Sequence, residues 1–244
     1  MSASTPLSYL KPIETRSRGE AILVALADMI NQAGLTVGDR LPPEVKLADQ
    51  LGVGRSTIRE ALNRWEGLGL IRRRRGDGTY LATTIPDASG PVPLMVKLEG
   101  EAVLRLLEVR RTLERDVARL AAERATDAQK AEIRRLCDLL LAIVAKGQDY
   151  RDADMDFHEA ISDASGNPLF GQILSRLNRA HEDNADSPFK RNAFGLASFP
   201  IHAELTDAIC AGDADGAAVA VNGILDAVDA EVRQIILDGP AAPD

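Results

Sequence analysis

Residues 41–81 read LPPEVKLADQLGVGRSTIREALNRWEGLGLIRRRRGDGTYL, and this stretch decides the fold. Pro42-Pro43-Glu44 opens a short helix, since proline is tolerated in a first helical turn. Val45, Leu47, Ala48 and Leu51 mark its expected buried side, and Gly52-Val53-Gly54 supplies a turn. A second helical pattern follows with Ile58, Ala61, Leu62, Trp65 and Leu68 as its apolar stripe. Ser56 is its expected N-cap, with Glu60 near the offset of a capping box, and Gly69 ends it. Ile71–Leu81 then carries four consecutive arginines and a Gly-Asp-Gly corner before alternation resumes. That pattern predicts a tight two-stranded hairpin.

Arg55, Arg59 and Asn63 are four residues apart, so they share one face of the second helix, opposite its apolar stripe. A helix whose first turn projects arginine and hydroxyl groups suits the major groove of DNA. There guanidinium recognises guanine, while hydroxyls and free backbone amides hold phosphate. Arginines on a hairpin beside it suit phosphate neutralisation. The competing reading is an ordinary solvated charged face; helix, turn, helix and wing in that order argue against it.

Outward from this stretch, Ile22, Leu23, Leu26, Met29 and Ile30 line one face of a preceding helix, with Gly34 as its C-cap. Residues 1–15 have no period and read as a flexible start. Residues 16–82 form the expected winged helix–turn–helix, and the Pro-, Gly-, Ser- and Thr-rich stretch 83–93 the linker. The net charge of −8 alone argues against nucleic acid, but it is unevenly spread. Residues 1–84 carry 12 Lys/Arg against 9 Asp/Glu (+3), which leaves 17 against 28 (−11) for residues 85–244. A basic head on an acidic body has the charge distribution of a small DNA-binding module joined to a larger domain.

Residues 94–238 show about six helical patterns and no strand, which predicts an antiparallel helical bundle. Thr126 and Asp213 open two of its helices as caps, Asp149 and Asn167-Pro168 two others. The whole chain is therefore expected to be mostly α. Aromatic residues at only 4% fit helix packed on helix. No apolar run spans a bilayer and no apolar core marks a secretory leader, so a cytoplasmic protein with no membrane partner is expected. Cys137 and Cys210 read as reduced packing residues.

Within the bundle, Asp154 and His158 lie four apart beside Phe157 and Ile161. That spacing offers two ligands to one metal, with His202 as a third; it equally suits a buried Asp–His hydrogen bond. Arg110 has two readings as well: bidentate recognition of a carboxylate, or an ion pair with Glu114 one turn on. An all-helical, metal-dependent hydrolase built on Asp154, His158 and His202 is the alternative function these residues allow.

The 41–81 stretch resembles the winged helix–turn–helix of the GntR family of bacterial regulators. The motifs D-x-x-F-H-x-x-I-x-x-A-S-G-N from Asp154, R-x-x-L-E from Arg110 and H-x-x-L-x-x-A-I-x-x-G-D from His202 resemble the FCD-type ligand domain of its FadR-like members. The resemblance implies a ligand-responsive transcriptional regulator, most often a repressor, that binds a pseudo-palindromic operator in double-stranded DNA as a homodimer. DNA contacts would come from Arg55, Ser56, Thr57 and Arg59, with Arg75 and Gly76 at the wing. A small carboxylate effector would sit among Arg110, Asp154, His158 and His202, and Phe189 is expected beside it. Many such domains hold a divalent metal such as zinc through one Asp and three His. Here Asp154, His158 and His202 match, and Ile224 stands at the fourth position. The set is then either a three-ligand metal site or a metal-free cluster of hydrogen-bond partners. Asn222 lies about 200° from Ile224 round the helix and is no replacement; His181 is an outside candidate. A second departure is Val45, where many members carry arginine, with Lys46 about 100° away.

Overall fold

Short apolar stripes build three helices and a hairpin in the first part of the chain. The structure, a computed structural model, describes residues 16–86, 90–179, 187–191 and 193–240. The expected flexible start at 1–15 and His181 lie outside them. The chain divides into two compact units, residues 1–89 and 90–244.

The first unit holds α1 (Arg16–Gln32), α2 (Glu44–Leu51), α3 (Arg55–Gly67), β1 (Ile71–Arg74) and β2 (Gly78–Leu81). Leu23, Leu26 and Ile30 of α1 and Ile58, Leu62 and Trp65 of α3 are buried. Each such aliphatic side chain contributes about 1.5–3 kcal/mol. In α2 the buried residues are Leu47 and Ala48. Val45 is instead 44% exposed, which corrects its expected place on the buried side. It stands about 200° round the helix from Leu47, and two turns of helix have only one covered face.

The N-terminus of α3 also departs from expectation. Gly54, in extended conformation, is the N-cap, and its carbonyl accepts the amides of Thr57 (3.1 Å) and Ile58 (3.2 Å). The chain reverses at Gly52 (φ +64°), so the helix starts at Arg55, one residue before the proposed cap. Ser56 and Glu60 are both exposed, and no side chain caps the helix.

The hairpin pairs Ile71 with Leu81 and Arg74 with Gly78 across a corner at Gly76 (φ +76°). A further backbone partner was absent from the sequence reading. Leu41 N donates to Thr79 O (2.8 Å) and Leu81 N to Asp39 O (2.9 Å), so residues 38–41 cover the free edge of β2. Gly78 holds φ +147°, a backbone conformation that favours glycine, and the Arg40 guanidinium packs against it.

The second unit is helical throughout its described residues: α4 (Leu94–Arg124), α5 (Asp127–Ala145), α6 (Arg151–Ala164), α7 (Pro168–Arg179), α8 (Phe199–Ala211) and α9 (Ala214–Asp238). Two 3-10 turns, Pro188–Lys190 and Leu196–Ser198, precede α8. Thr126 forms the expected capping box with Gln129, and Asp213 caps α9 through Gly216 N at 2.9 Å. α6 starts at Arg151 rather than Asp149, because the Asp149 carboxylate accepts the Arg151 amide (3.2 Å) from outside the helix.

α4 packs along α9, and α8 lies against both; α5 contacts α6 and α8. Phe157, Leu205, Ile209, Val221 and Leu225 centre the core. Arg111 ties α4 to α9 by bonding Asn222 Oδ1 (3.3 Å) and Asp226 (2.7 Å). Gly100 lets the helices close up, since a Cβ there would meet Ile236 Cγ1 at 2.5 Å and Phe189 Cζ at 3.0 Å. Cys137 is buried and Cys210 half-buried, both as free thiols. Among the described residues no helix is long and apolar enough to cross a membrane.

Candidate functional site

In the first unit, α3 and the wing converge on a groove of about 780 Å³. Arg55 and Arg59 line it from α3, Arg73–Arg75 and Gly76 from the wing, and Arg40 and Val45 from the segment before α3. Ser56 and Thr57 occupy the first turn of α3 but do not line the groove. With no side-chain cap, the positive end of the helix is open to an anion ahead of the amides of Thr57 and Ile58, which bond Gly54 O.

The wing arginines divide by strand alternation. Arg73 turns toward α3: one Nη donates to Asn63 Oδ1 (2.6 Å), the other to Arg59 O (3.3 Å), and its Nε lies 3.8 Å from Glu66. Asn63 is thereby engaged within the unit. Arg74 lies 4.7 Å over the Tyr80 ring, and Arg72 and Arg75 are exposed. Arg59 leans on Glu44 (3.2 Å). Arg40, missed in sequence, donates to Asp77 O. Its signal was weak, a lone arginine just before a proline turn.

In the second unit, α6 and α8 bring Asp154, His158 and His202 together. Asp154 Oδ1 lies 3.7 Å from His158 Nε2 and 3.3 Å from His202 Nε2. The potential ligand atoms of the three residues all fall within 4.8 Å of one another. His202 Nδ1 is 3.1 Å from Ser198 O. A carbonyl only accepts, so Nδ1 carries the hydrogen and Nε2 of the neutral ring presents a lone pair. That Nε2 is buried without a hydrogen-bond partner; its approach to Asp154 is of ion-pair length but lacks hydrogen-bond geometry.

Two electron-rich atoms 3.3 Å apart are stable together when a cation lies between them. Zinc–ligand bonds of about 2.0–2.1 Å place neighbouring donors about 3.3–3.5 Å apart. An orphaned, oriented imidazole nitrogen and a donor set of two nitrogens and one carboxylate oxygen therefore fit a divalent cation such as zinc. Burial lowers the His158 pKa, against the pull of Asp154 and Glu114, and so favours the neutral, ligating ring. Burial opposes the charge on Asp154, but His158 and His202 when protonated, together with Arg110, hold its carboxyl below the usual range.

This cluster borders two cavities. The larger, about 650 Å³, is lined by Arg110, Glu114, Asp154, His158 and Phe189 among others. The smaller, about 220 Å³, shares Arg110, Asp154, His158 and Phe189 and adds His202 and Ile224. Ile224, 5% exposed, thus faces the same small cavity as the cluster. All five residues expected around an effector meet here. Arg110 both lines the cavities and donates to Glu114 Oε1 at 2.5 Å. Burial opposes its charge, yet Glu114 and Asp154 hold its pKa above the ordinary value.

Residues that sequence reasoning missed also line the smaller cavity. Arg151 lies three residues before Asp154, a spacing that was legible; Arg191 and Phe194 come from an aperiodic stretch. That stretch is anchored at several points. The Tyr150 hydroxyl donates to Phe194 O, Gly195 N donates to Glu231 Oε2 (2.8 Å), and the Ser198 hydroxyl donates to Gly195 O (2.7 Å). Burial, with the nearby Asp154 and Glu231 carboxylates, pushes the Tyr150 phenol up to about 12.

Comparison with known proteins decides the identity of both units. The family described as bacterial regulatory proteins, gntR family, matches residues 18–81, and the FCD domain matches residues 105–227, about half of the chain. The chain belongs to the GntR family. Its FCD domain is consistent with the FadR-like branch. The chain is 37% identical over 150 residues to the HTH-type transcriptional regulator LutR of Bacillus subtilis, covering 61% of this chain and 68% of that protein. It is 32% identical over 220 residues to a putative L-lactate dehydrogenase operon regulatory protein of Escherichia coli K12, covering 84% and 83%. A solved GntR-family regulator from Pseudomonas syringae pv. tomato shares the fold at 18% identity and a TM-score of 0.50, covering 92% of this chain and 98% of that one.

GntR-family relatives are regulators rather than enzymes, and the hydrolase alternative finds no support among them. The chain is a ligand-responsive transcriptional regulator of the family that binds operator DNA.

Proposed function

We propose that this regulator is a cytoplasmic repressor that binds a pseudo-palindromic operator as a homodimer and is switched by a small carboxylate. Arg55, Ser56, Thr57 and Arg59 at the start of α3 would read and hold the major groove. Arg75 and Gly76 at the wing tip would contact the adjacent backbone. The observation that carries this reading is the groove in which arginines of α3 and the wing converge beside an uncapped helix N-terminus. Two copies related by a twofold axis make a symmetric operator the natural target.

In the second unit, Asp154, His158 and His202 would hold a divalent metal such as zinc, and Arg110 would orient the effector carboxylate. Bound there, the metal supplies a positive centre for an anionic effector. Phe189 would close one wall. An effector that favours one arrangement of the bundle changes DNA affinity through the 83–93 linker. The orphaned His202 Nε2 supports the metal over a purely hydrogen-bonded cluster.

Metal content of the purified full chain, compared with His158→Ala, tests this part. About one ion per wild-type chain and a clear loss in the variant are expected; negligible metal in both removes the metal and leaves the hydrogen-bonded cluster. Selection of duplexes from a random pool tests the rest. A twofold-symmetric site is expected, and recovery of only asymmetric or unrelated sequences contradicts it.

A further inference from the structure

The smaller cavity has two unlike walls. One presents Asp154, His158 and His202, with Phe199 stacked on the His202 ring; the other presents Ile224, Leu225 and Val228. His202 lines only this cavity of the two, so a metal held by all three ligands would face it. Where a fourth ligand would extend the polar wall, Ile224 extends the apolar one and is 5% exposed. The charged groups lining the cavity already have partners within the chain: Arg110 holds Glu114 at 2.5 Å, Arg151 holds Asp149 at 2.5 Å, and Arg191 is engaged as well. That leaves a place for one carboxylate and no matching group for a second on the apolar wall.

We infer that the effector is a monocarboxylate with a compact apolar body, an aryl or branched-alkyl acid, rather than a hydroxy acid or dicarboxylate. The inference rests on the proposed effector site and specifies what fills it. A cavity of about 220 Å³ exceeds the roughly 150 Å³ in which an apolar cavity accepts benzene. It therefore takes a six-membered ring with its carboxylate attached. The carboxylate meets the polar wall and the ring packs on Ile224, Leu225 and Val228. A hydroxyl or second carboxylate on that body would lose water to an aliphatic wall with nothing to bond it, which is costly.

Benzoate and malate have the same number of non-hydrogen atoms and differ in where they carry oxygen. Isothermal titration of the zinc-loaded full chain with each is the test. Benzoate is expected to bind at least about tenfold more tightly, the discrimination that a methylene-sized apolar contact yields. Malate binding equally or better overturns the inference while leaving the proposed carboxylate switch standing. Binding of neither overturns that switch and the inference together. Ile224→Asn, with Val228→Thr as a near-isosteric second variant, locates the effect. Each should weaken benzoate about tenfold and leave malate unchanged or tighter; an unchanged benzoate affinity in folded variants of both kinds also overturns the assignment.

Discussion

Arg73 separates the arginines that touch DNA from those that hold the reader in shape. Its guanidinium joins β1 to α3 through Asn63 (2.6 Å) and the Arg59 carbonyl (3.3 Å). Ion-pair contacts at 3.8 Å to Glu66 and 4.0 Å to Glu44 add to it. Hydrogen bonds from a charged group contribute about 1.5–3 kcal/mol each at most. The side chain remains 26% exposed, so water replaces part of what is lost, and such outlying ion pairs add only about 0–1 kcal/mol. Arg73→Ala should therefore cost about 2 kcal/mol of wing–helix docking, which is about thirtyfold in DNA affinity at 1.4 kcal/mol per tenfold. Fluorescence anisotropy on a selected operator, across about 50–200 mM salt, reads affinity and counterion release together. Each phosphate contact adds about 0.9 to the slope of log K against log salt. Arg73→Ala should keep the wild-type slope at reduced affinity, whereas Arg75→Ala should flatten it by about 0.9. A flattened slope in Arg73→Ala would refute the positioning role and make Arg73 a phosphate contact; unchanged affinity would show that the docking does not matter.

Three further outcomes follow from particular positions. Val45 is exposed on the arginine-lined groove, so Val45→Arg should tighten duplex binding and steepen the salt slope by about 0.9; an unchanged slope places position 45 away from the DNA. Gly100→Val drives a branched side chain into Ile236 and Phe189. It should cost about 1–3 kcal/mol of stability and weaken effector binding through Phe189; melting at the wild-type temperature contradicts the close approach of α4 and α9. Burial holds the Glu231 carboxyl above its ordinary 4.5, against the Gly195 amide bond that favours its charge. As pH rises past 4.5 the unfolded chain releases this proton before the folded one, so stability falls until the folded group ionises too. The melting-temperature difference of Glu231→Gln over wild type should grow between about pH 4 and pH 7; a flat difference contradicts the shift.

The head was legible because its information is local. Ile58, Leu62 and Trp65 at helical spacing and the Gly76 corner fix α3 and the wing without reference to distant residues. The errors there were local competitions decided by context. Val45 is apolar but lies off the covered face of a two-turn helix, and Gly54 took the capping place assigned to Ser56 because the chain reverses at Gly52. Residue 40 enters the groove by pairing its backbone with Tyr80, a contact across 40 residues that no period announces. In the bundle, Asp154 and His158 were visible from spacing and His202 as a third candidate from a separate helix, but no spacing shows that the three meet. The tautomer that exposes His202 Nε2 depends on the Ser198 carbonyl. That carbonyl is placed by the aperiodic 187–198 stretch, whose anchors Tyr150 and Glu231 lie on other helices.

The proposed switch makes an arginine-lined reader answer to the Asp154–His158–His202 site. The direct measurement is the affinity of the zinc-loaded full chain for its selected operator duplex, with and without saturating benzoate. The same pair of measurements on Asp154→Ala, which removes the carboxylate shared by both histidines, completes it. A change of roughly 5–150-fold, the usual range of allosteric coupling, is expected in the wild type, and none in the variant. An equal change in both chains, or operator binding that ignores the effector in the wild type, would contradict it.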